Sequence, residues 1–260
     1  MEENRIKGKT ILITGASAGF GEACARQLFG RGANLLLIAR RFDRLERLKG
    51  ALEADGGPSV DIFELDVRDR SAVKSFAAEL NQSGATIDVL INNAGLASGF
   101  GKIQDGDFDD WDRMIDTNVK GLLNVTRCIL PQMIERDSGH IVNIGSIAGH
   151  WVYPNGNVYN ATKYAVRALN EAINIDLVGT QIRVSSVDPG AADTEFAVVR
   201  FHGDAEQAKT VYKGFTPLDA GDVADAVCYV LNVPPHVNIQ NMVIMATDQR
   251  SPFVIHRKAD

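Results

Sequence analysis

The chain is poor in cysteine and proline and has no long apolar run. Its 260 residues include 3 cysteines and 8 prolines. Cys24, Cys128 and Cys228 lie far apart, odd in number and without a Cys-x-x-Cys pair, which excludes the usual patterns of a disulfide framework or a zinc site. His140 and His236 have no ligand spacing either, and no metal is expected. Nothing approaches the ~20 apolar residues that span a bilayer. The opening MEENRIKGKT lacks the apolar core of a signal peptide. Positive charge is not in excess: 27 Lys and Arg against 33 Asp and Glu give a formal net charge of −6. Nucleic acid and anionic membranes are therefore not expected partners. A soluble, cytoplasmic protein in a reducing environment is the expectation.

What is there is a globular composition, 45% hydrophobic and 23% charged, with 24 glycines suited to tight turns. No repeat, linker or low-complexity tract divides it, so residues 1–260 read as one domain. Short apolar runs recur at Thr10–Thr14, Asn34–Ala39, Val60–Leu65, Val89–Asn92, His140–Ile144, Arg183–Val187 and Met242–Met245. Several are near-continuous aliphatic stretches, as in strands buried on both faces. Helical periodicity fills the intervals. The expected fold is α/β, a doubly wound seven-stranded parallel sheet with helices on both faces. Residues 190–218 resist this alternation and read as a segment crossing the sheet edge.

Two helices carry unusually wide apolar arcs. In Arg113–Arg136 the apolar positions project over about 200°, against the ~100° that packing on a single sheet needs. Val158–Val178 is similar. Both are either deeply packed or shared with another subunit, in a homodimer or homotetramer.

The first strand runs into Thr14-Gly15-Ala16-Ser17-Ala18-Gly19-Phe20-Gly21. A strand-to-helix turn of this kind needs glycine where a Cβ would clash, and the helix start offers free N–H groups to a pyrophosphate. The second strand ends Ala39-Arg40-Arg41, where an NAD site would place a carboxylate for the ribose. Two guanidiniums suit a 2′-phosphate instead, so the expected cofactor is NADP. Asp43, nearby, reads as the start of the next helix.

Four residues form the expected chemical centre. Tyr159 and Lys163 are one helical turn apart and share a face. A free phenol, with a pKa near ~10, is a poor base at neutral pH. An adjacent ammonium would lower that pKa and let Tyr159 exchange a proton with a substrate hydroxyl or carbonyl. Periodicity alone also allows a solvated lysine, since Lys163 shares its polar arc with Asn160, Arg167, Asn170 and Asn174. Ser146 closes the fifth strand at the sheet edge where such folds bind ligands. Asn118 falls inside an apolar stripe, where an amide needs partners, for a structural or a chemical purpose.

Together these motifs resemble the short-chain dehydrogenase/reductase family: TGASAGFG, Asp66-Val67, Asn92-Asn93-Ala94-Gly95, Asn118, Ser146, YNATK and Pro189-Gly190, in order over essentially the whole chain. The resemblance implies a Rossmann-type sheet and hydride transfer to or from a nicotinamide. It implies Tyr159 as general acid/base, with Lys163 lowering its pKa and holding the nicotinamide ribose. Ser146 would orient the substrate, and Asn118 would hold a relay water with Lys163. The cofactor would meet Gly15, Ser17, Gly19, Phe20 and Gly21 at the turn, and Asp66 and Val67 at the adenine. Asn92, Ala94 and Gly95 would line the cleft, and Pro189, Gly190 and Thr194 would stand near the nicotinamide and phosphate. Members commonly form tetramers through the two wide-striped helices. Ala18 departs from the basic residue many NADP-preferring members carry, so NADP rests on Arg40 and Arg41.

Other passages, among them IVNIGSIAGHWVYP and PPHVNIQNM, resemble the branch acting on short 3-hydroxy acids such as serine and allo-threonine, and also sulfoacetaldehyde reductases. Such small substrates bear a carboxylate or sulfonate close to the reacting carbon, so the site needs a cation. Arg200, in the segment after Pro189-Gly190, is the first candidate, ahead of Lys209, Lys213 and His202. The alternative is that it pairs with Glu195 or Asp204. His150, Trp151 and Tyr153 read as a possible aromatic wall, and the tail after Met245 as a segment able to pack on a partner.

Overall fold

The computed structural model describes residues 3–258; the first two and last two positions of the expected 1–260 domain lie outside it. Strands β1 (Thr10–Thr14), β2 (Asn34–Ala39), β3 (Val60–Glu64), β4 (Val89–Asn92), β5 (Gly139–Ile144), β6 (Ile182–Pro189) and β7 (Asn241–Ile244) form one sheet. Its order is β3-β2-β1-β4-β5-β6-β7 and every pairing is parallel. The aliphatic runs become strands because both of their faces are covered. In β1, Ile11 and Ile13 join a core with Cys24 and Leu28, while Leu12 joins a second core with Val73 and Phe76. Successive side chains of a strand point to opposite faces, and here each face meets its own helices.

Helices α1 (Gly19–Gly30), α2 (Phe42–Glu53) and α9 (Ala220–Asn232) supply the first core. Helices α3 (Arg70–Gln82), α5 (Leu122–Glu135) and the end of α6 (Asn157–Asp176) supply the second. No helix among the described residues is long and apolar enough to cross a membrane. Strand β6 runs past its expected end because Asp188 and Pro189 still pair with Val243 and Ile244 of β7.

The expected helix over 113–136 differs in two ways. It starts earlier, as α4 (Phe108–Ile115), because the Asp107 carboxylate accepts from the N–H groups of Asp109 and Asp110. A π-helical segment, Asp116–Gly121, then joins α4 to α5. Such an insertion changes the angular phase of all that follows, which widens the stripe read at a constant 100° per residue. Ile115, Leu123 and Ile134 are nonetheless exposed.

Helix α6 reverses the usual rule. Its buried face carries Asn160, Lys163 and Asn170, while Tyr164 and Ile175 face outward. Asn160 donates to the Tyr153 carbonyl, and Asn170 joins a ladder of amides across the sheet. Asn143 on β5 accepts from Asn92 Nδ2 at 2.9 Å and donates to Asn170 at 3.0 Å, and Asn170 donates to the Gln240 carbonyl.

Residues 190–218 form α7 (Glu195–Arg200) and α8 (Ala205–Thr210). The tail packs on this segment of its own chain: Lys258 N donates to the Gly214 carbonyl, and Arg257 donates to the carbonyls of Val211 and Lys213.

Candidate active site

The carboxyl ends of the strands open into a cleft of about 770 Å³. Its floor begins at the glycine turn. Gly15 has φ +66°, and a Cβ there would stand 2.9 Å from the Ala94 Cα. At Gly21 a Cβ would come within 2.5 Å of the Gly15 carbonyl oxygen. Only glycine permits this approach. Asn93 clamps the turn by donating to the carbonyls of Thr14 and Gly15, while Thr14 Oγ1 accepts from the N–H groups of Asn93 and Ala94. No side chain caps the start of α1 at Ala18, so its first N–H groups are free for an anion.

Ser17, Gly19, Phe20, Asp66, Val67, Ala94, Gly95, Pro189, Gly190 and Thr194 line the cleft with Gly15. Asn92 does not, contrary to expectation: it turns inward and donates to Thr126 and Asn143. Gly21 lies under the turn rather than on the cleft wall, where its missing Cβ makes room for Asn93 and Gly15. Asn93 does the work expected of its neighbour.

Arg40 and Arg41 stand at the outer end of the cleft. Arg41 Nε donates to Ser17 Oγ at 3.3 Å and Nη1 to Glu195 at 3.0 Å. Arg44, which the sequence did not single out, donates to the same carboxylate at 2.7 Å. Burial lowers the pKa of Arg40, and the Asp66 carboxylate opposes that shift. Burial pushes the Asp66 carboxyl up, but the hydrogen bonds and charge of Arg68 outweigh it and hold that group below its usual range. Asp43 lies in the first turn of α2, as expected.

Deeper in, Ser146 follows β5, and its Oγ accepts from the Ala148 N–H at 3.1 Å. Tyr159, in the first turns of α6, packs edge-on against Phe196 with ring centroids 5.4 Å apart. Lys163 is 7% exposed, not solvated. Its Nζ donates to the Ile144 carbonyl at 2.8 Å and stands 5.9 Å from the Tyr159 ring centroid. Burial pushes Lys163 down to about 8, against the opposing pull of the Asp188 carboxylate. Burial pushes Tyr159 above its ordinary value, and the nearby Tyr153 adds to this. The groups that pull it back are Arg200 and the hydrogen bond from Ser146. Lys163 is not among the groups that pull this phenol down, and the cation nearer its ring is Arg200.

Asn118 lies inside the π segment with its side chain fully hydrogen-bonded. Its Nδ2 donates to the Leu96 carbonyl at 2.8 Å and to Thr162 Oγ1 at 3.0 Å, and its Oδ1 accepts from the Leu96 N–H at 2.8 Å. Both amide hydrogens are used, and the side chain does not line the cleft.

Arg200, at the end of α7, projects into the cleft. Its guanidinium carbon lies 4.9 Å from the Tyr159 ring centroid, 5.1 Å from Phe196 and 5.7 Å from both Phe100 and Tyr153. Nη2 donates to the Tyr153 hydroxyl at 2.7 Å, and the buried Nε has no hydrogen-bond partner. Neither expected carboxylate is available to it: Glu195 holds Arg41 and Arg44, and Asp204 caps α8. The other basic candidates are spent elsewhere, Lys209 on Glu206 and His202 on Asp110. Of the expected wall, Tyr153 lines the cleft; His150 and Trp151 do not. Gln249, in the tail, holds the Gly190–Ala191 turn by accepting from Ala191 N at 2.8 Å.

Known proteins resemble this chain over most of its length. The family model described as short chain dehydrogenase matches residues 9–204. The NADP-dependent 3-hydroxy acid dehydrogenase YdfG of Salmonella typhi is 45% identical over 95% of this chain and 99% of its own. Sulfoacetaldehyde reductase 2 of Chromohalobacter salexigens is also 45% identical, over 95% of this chain and 98% of its own. The solved closed form of serine dehydrogenase complexed with NADP+ superposes with a TM-score of 0.90 at 43% identity, covering 96% of this chain and 100% of that one. With the glycine turn, the Tyr159–Lys163 pair and the parallel sheet in place, this chain belongs to the short-chain dehydrogenase family.

Proposed function

We propose that this protein is an NADP-dependent oxidoreductase that interconverts a hydroxyl and a carbonyl on a short 3-hydroxy acid. The observation that carries the substrate class is Arg200: a guanidinium above Tyr159, without a carboxylate partner and with a buried Nε lacking any acceptor. An unpaired buried donor is costly, and a substrate carboxylate would relieve it with a charge-assisted fork. A sulfonate presents the same oxygens. The sulfoacetaldehyde reductases, as similar to this chain as the hydroxy acid dehydrogenases are, support that second reading.

The residues present fit NADP. The uncapped start of α1 suits the pyrophosphate, Arg40 and Arg41 the 2′-phosphate, and Asp66 and Val67 the adenine. Lys163 would hold the nicotinamide ribose, beside Gly190 and Thr194. When bound, NADP accepts or returns the hydride. The chain's own side chains manage the proton: Tyr159 takes it from the substrate hydroxyl or returns it to the carbonyl oxygen, and Ser146 holds that oxygen in place. Lys163 supplies a positive charge in the same buried volume. Asn118 acts by fixing Leu96 and Thr162, between which the cleft and α6 meet. The outward apolar side chains of α5 and α6 support contact with another copy of the chain, as a dimer or tetramer. The free cysteines fit a reducing, cytoplasmic setting.

The test is a panel: oxidation of serine, allo-threonine and 3-hydroxypropionate, and reduction of malonic semialdehyde and sulfoacetaldehyde, each with NADP(H). Turnover of the acids or of the sulfonate chooses between the two readings, and turnover of uncharged ketones alone defeats both. Tyr159→Phe should lower kcat by about 10²- to 10⁴-fold, the usual contribution of general acid–base catalysis. A Phe variant with full activity removes the proton-transfer role.

A further inference from the structure

Beneath the Ile144–Gly145–Ser146 turn lies a carboxylate that the reaction scheme above does not use. Asp188, near the end of β6, is 1% exposed. Three donors converge on it. Ser186 Oγ donates to Oδ1, while His150 Nε2 and Asn241 Nδ2 each meet Oδ2 at 2.5 Å. A Cβ at Gly145 would overlap Oδ1, so the glycine is what lets the turn settle on this carboxylate. The peptide carbonyl that precedes Gly145, that of Ile144, is the acceptor for Lys163 Nζ at 2.8 Å. Ser146 follows on the other side. One buried carboxylate thus underlies the backbone that holds both the lysine and the serine.

The tautomer of His150 sets how its ring meets that carboxylate. Arg167 Nη1 approaches His150 Nδ1 at 3.4 Å. A guanidinium only donates, so Nδ1 accepts and the ring proton sits on Nε2, aimed at Asp188. His150 then donates through Nε2, and with Ser186 and Asn241 it makes Asp188 an acceptor on both of its oxygens. The charged or titratable groups facing this locus are few. Among the described residues, helix α6 brings Tyr159, Lys163, Tyr164 and Arg167, the turn after β5 brings His150, and β7 brings the neutral Asn241. Arg200 faces Tyr159 from α7, on the cleft side. Lys163 is the buried cation that feels the carboxylate, whose pull on it is upward.

We propose that Asp188 is a positioning residue for the reaction: held anionic by His150, Asn241 and Ser186, it is the buried counter-charge that keeps Lys163 an ammonium, and it props the turn carrying the lysine's acceptor and Ser146. An isolated buried ammonium sheds its proton rather than bear the cost of desolvation. The carboxylate below the turn offsets that cost without forming a direct salt bridge, which leaves the ammonium's remaining hydrogens free for the cleft. This inference rests on the proposed role of Lys163.

The experiment compares the wild type, Asp188→Asn and Asp188→Glu across pH. Asp188→Asn keeps the shape and an acceptor for Ser186 but removes the charge. Lys163 then loses its proton at lower pH, so the alkaline fall of kcat/KM moves down by about one unit, and activity drops roughly tenfold at about pH 9 but only about twofold at about pH 7. NADP+ affinity, measured by calorimetry without turnover, should weaken over the same lower range. Asp188→Glu, which keeps the charge, should retain the wild-type limb whatever it does to kcat. If Asp188→Asn does not fold, His150→Lys at a part-exposed position pairs a permanent cation with Asp188 and should move the limb in the same direction. An unmoved limb and an unmoved affinity profile in the folded variant overturn the proposal and leave Asp188 a structural residue. A wild type without NADP-linked turnover instead overturns the reading on which it rests.

Discussion

The guanidinium carbon of Arg200 lies 4.9 Å from the ring centroid of Tyr159, nearer than the ammonium of Lys163 at 5.9 Å. One side chain therefore faces two targets, the phenol and the open cleft. Two effects separate in Arg200→Ala. For an acid substrate, loss of a charged hydrogen-bonding partner costs about 1.5–3 kcal/mol, a roughly 10- to 150-fold rise in KM. For an uncharged alcohol KM should hardly move. Since Arg200 pulls the Tyr159 pKa down, the variant's rate of alcohol oxidation should also need a higher pH. Steady-state kinetics on both substrate types check this. An unchanged KM for the acid removes Arg200 from the substrate site. Arg200→Lys keeps the charge but not the planar fork, so it should restore the pH dependence better than the KM.

Much of the fold was legible because buried parallel strands announce themselves as aliphatic runs: β1, β2 and β4 begin and end where the sequence places them. Lys163 was legible as a motif but not as a buried group. Its arc is polar, and a polar arc on a helix ordinarily faces water. Here Asn170 and Asn143 satisfy each other against the sheet, and the lysine follows them inward. The π segment at Asn118 has no signature in an apolar pattern read at constant phase. Arg44 and Asp188 were missed for another reason: each gains meaning only from residues far along the chain, Glu195 for the first and His150 with Asn241 for the second.

Cofactor choice should depend on Arg41 more than its exposure suggests. It bridges Ser17 of the glycine turn and Glu195 of the covering segment. Arg41→Ala should lower the ratio of kcat/KM for NADPH over NADH by roughly 10- to 150-fold, the loss of about 1.5–3 kcal/mol from one charged contact. Arg40→Asp should shift preference further toward NADH, since a carboxylate there serves the ribose hydroxyls and repels a phosphate. Equal kcat/KM values for the two cofactors in the wild type would exclude the phosphate role of both arginines.

The amide ladder through Asn143 should matter for stability rather than chemistry. Asn143→Ala leaves one Nδ2 hydrogen of Asn92, whose other hydrogen goes to Thr126, and the side-chain Oδ1 of Asn170 without the partner they have at 2.9 and 3.0 Å. Each buried group left unpaired costs about 1–3 kcal/mol. In a chain of this size each kcal/mol is worth about 2–4 °C, so Tm should fall by roughly 4–24 °C. Calorimetric melting measures it. A loss confined to activity, with Tm unchanged, would mean that Asn143 serves the site and not the sheet.

Lys163 should make the protein less stable at neutral pH, and the sign follows from linkage. Its pKa is about 8 in the folded protein, below the 10.5 of a free lysine. Below about 8 both states carry the proton, and the folded state bears the full cost of a buried ammonium. Between about 8 and 10.5 the unfolded chain binds more protons, so this group's contribution to stability improves as pH rises. Lys163→Met removes the effect. It should therefore raise Tm relative to wild type near pH 7, and the gain should shrink by about 3 kcal/mol as pH climbs toward 10.5. Because the comparison is between two proteins at each pH, titration of every other group largely cancels. The variant should have little activity, which makes the lysine a residue kept for chemistry against stability. A Met variant less stable than wild type by the same margin at every pH would show that Lys163 is not held near 8 and that its bond to Ile144 outweighs its burial.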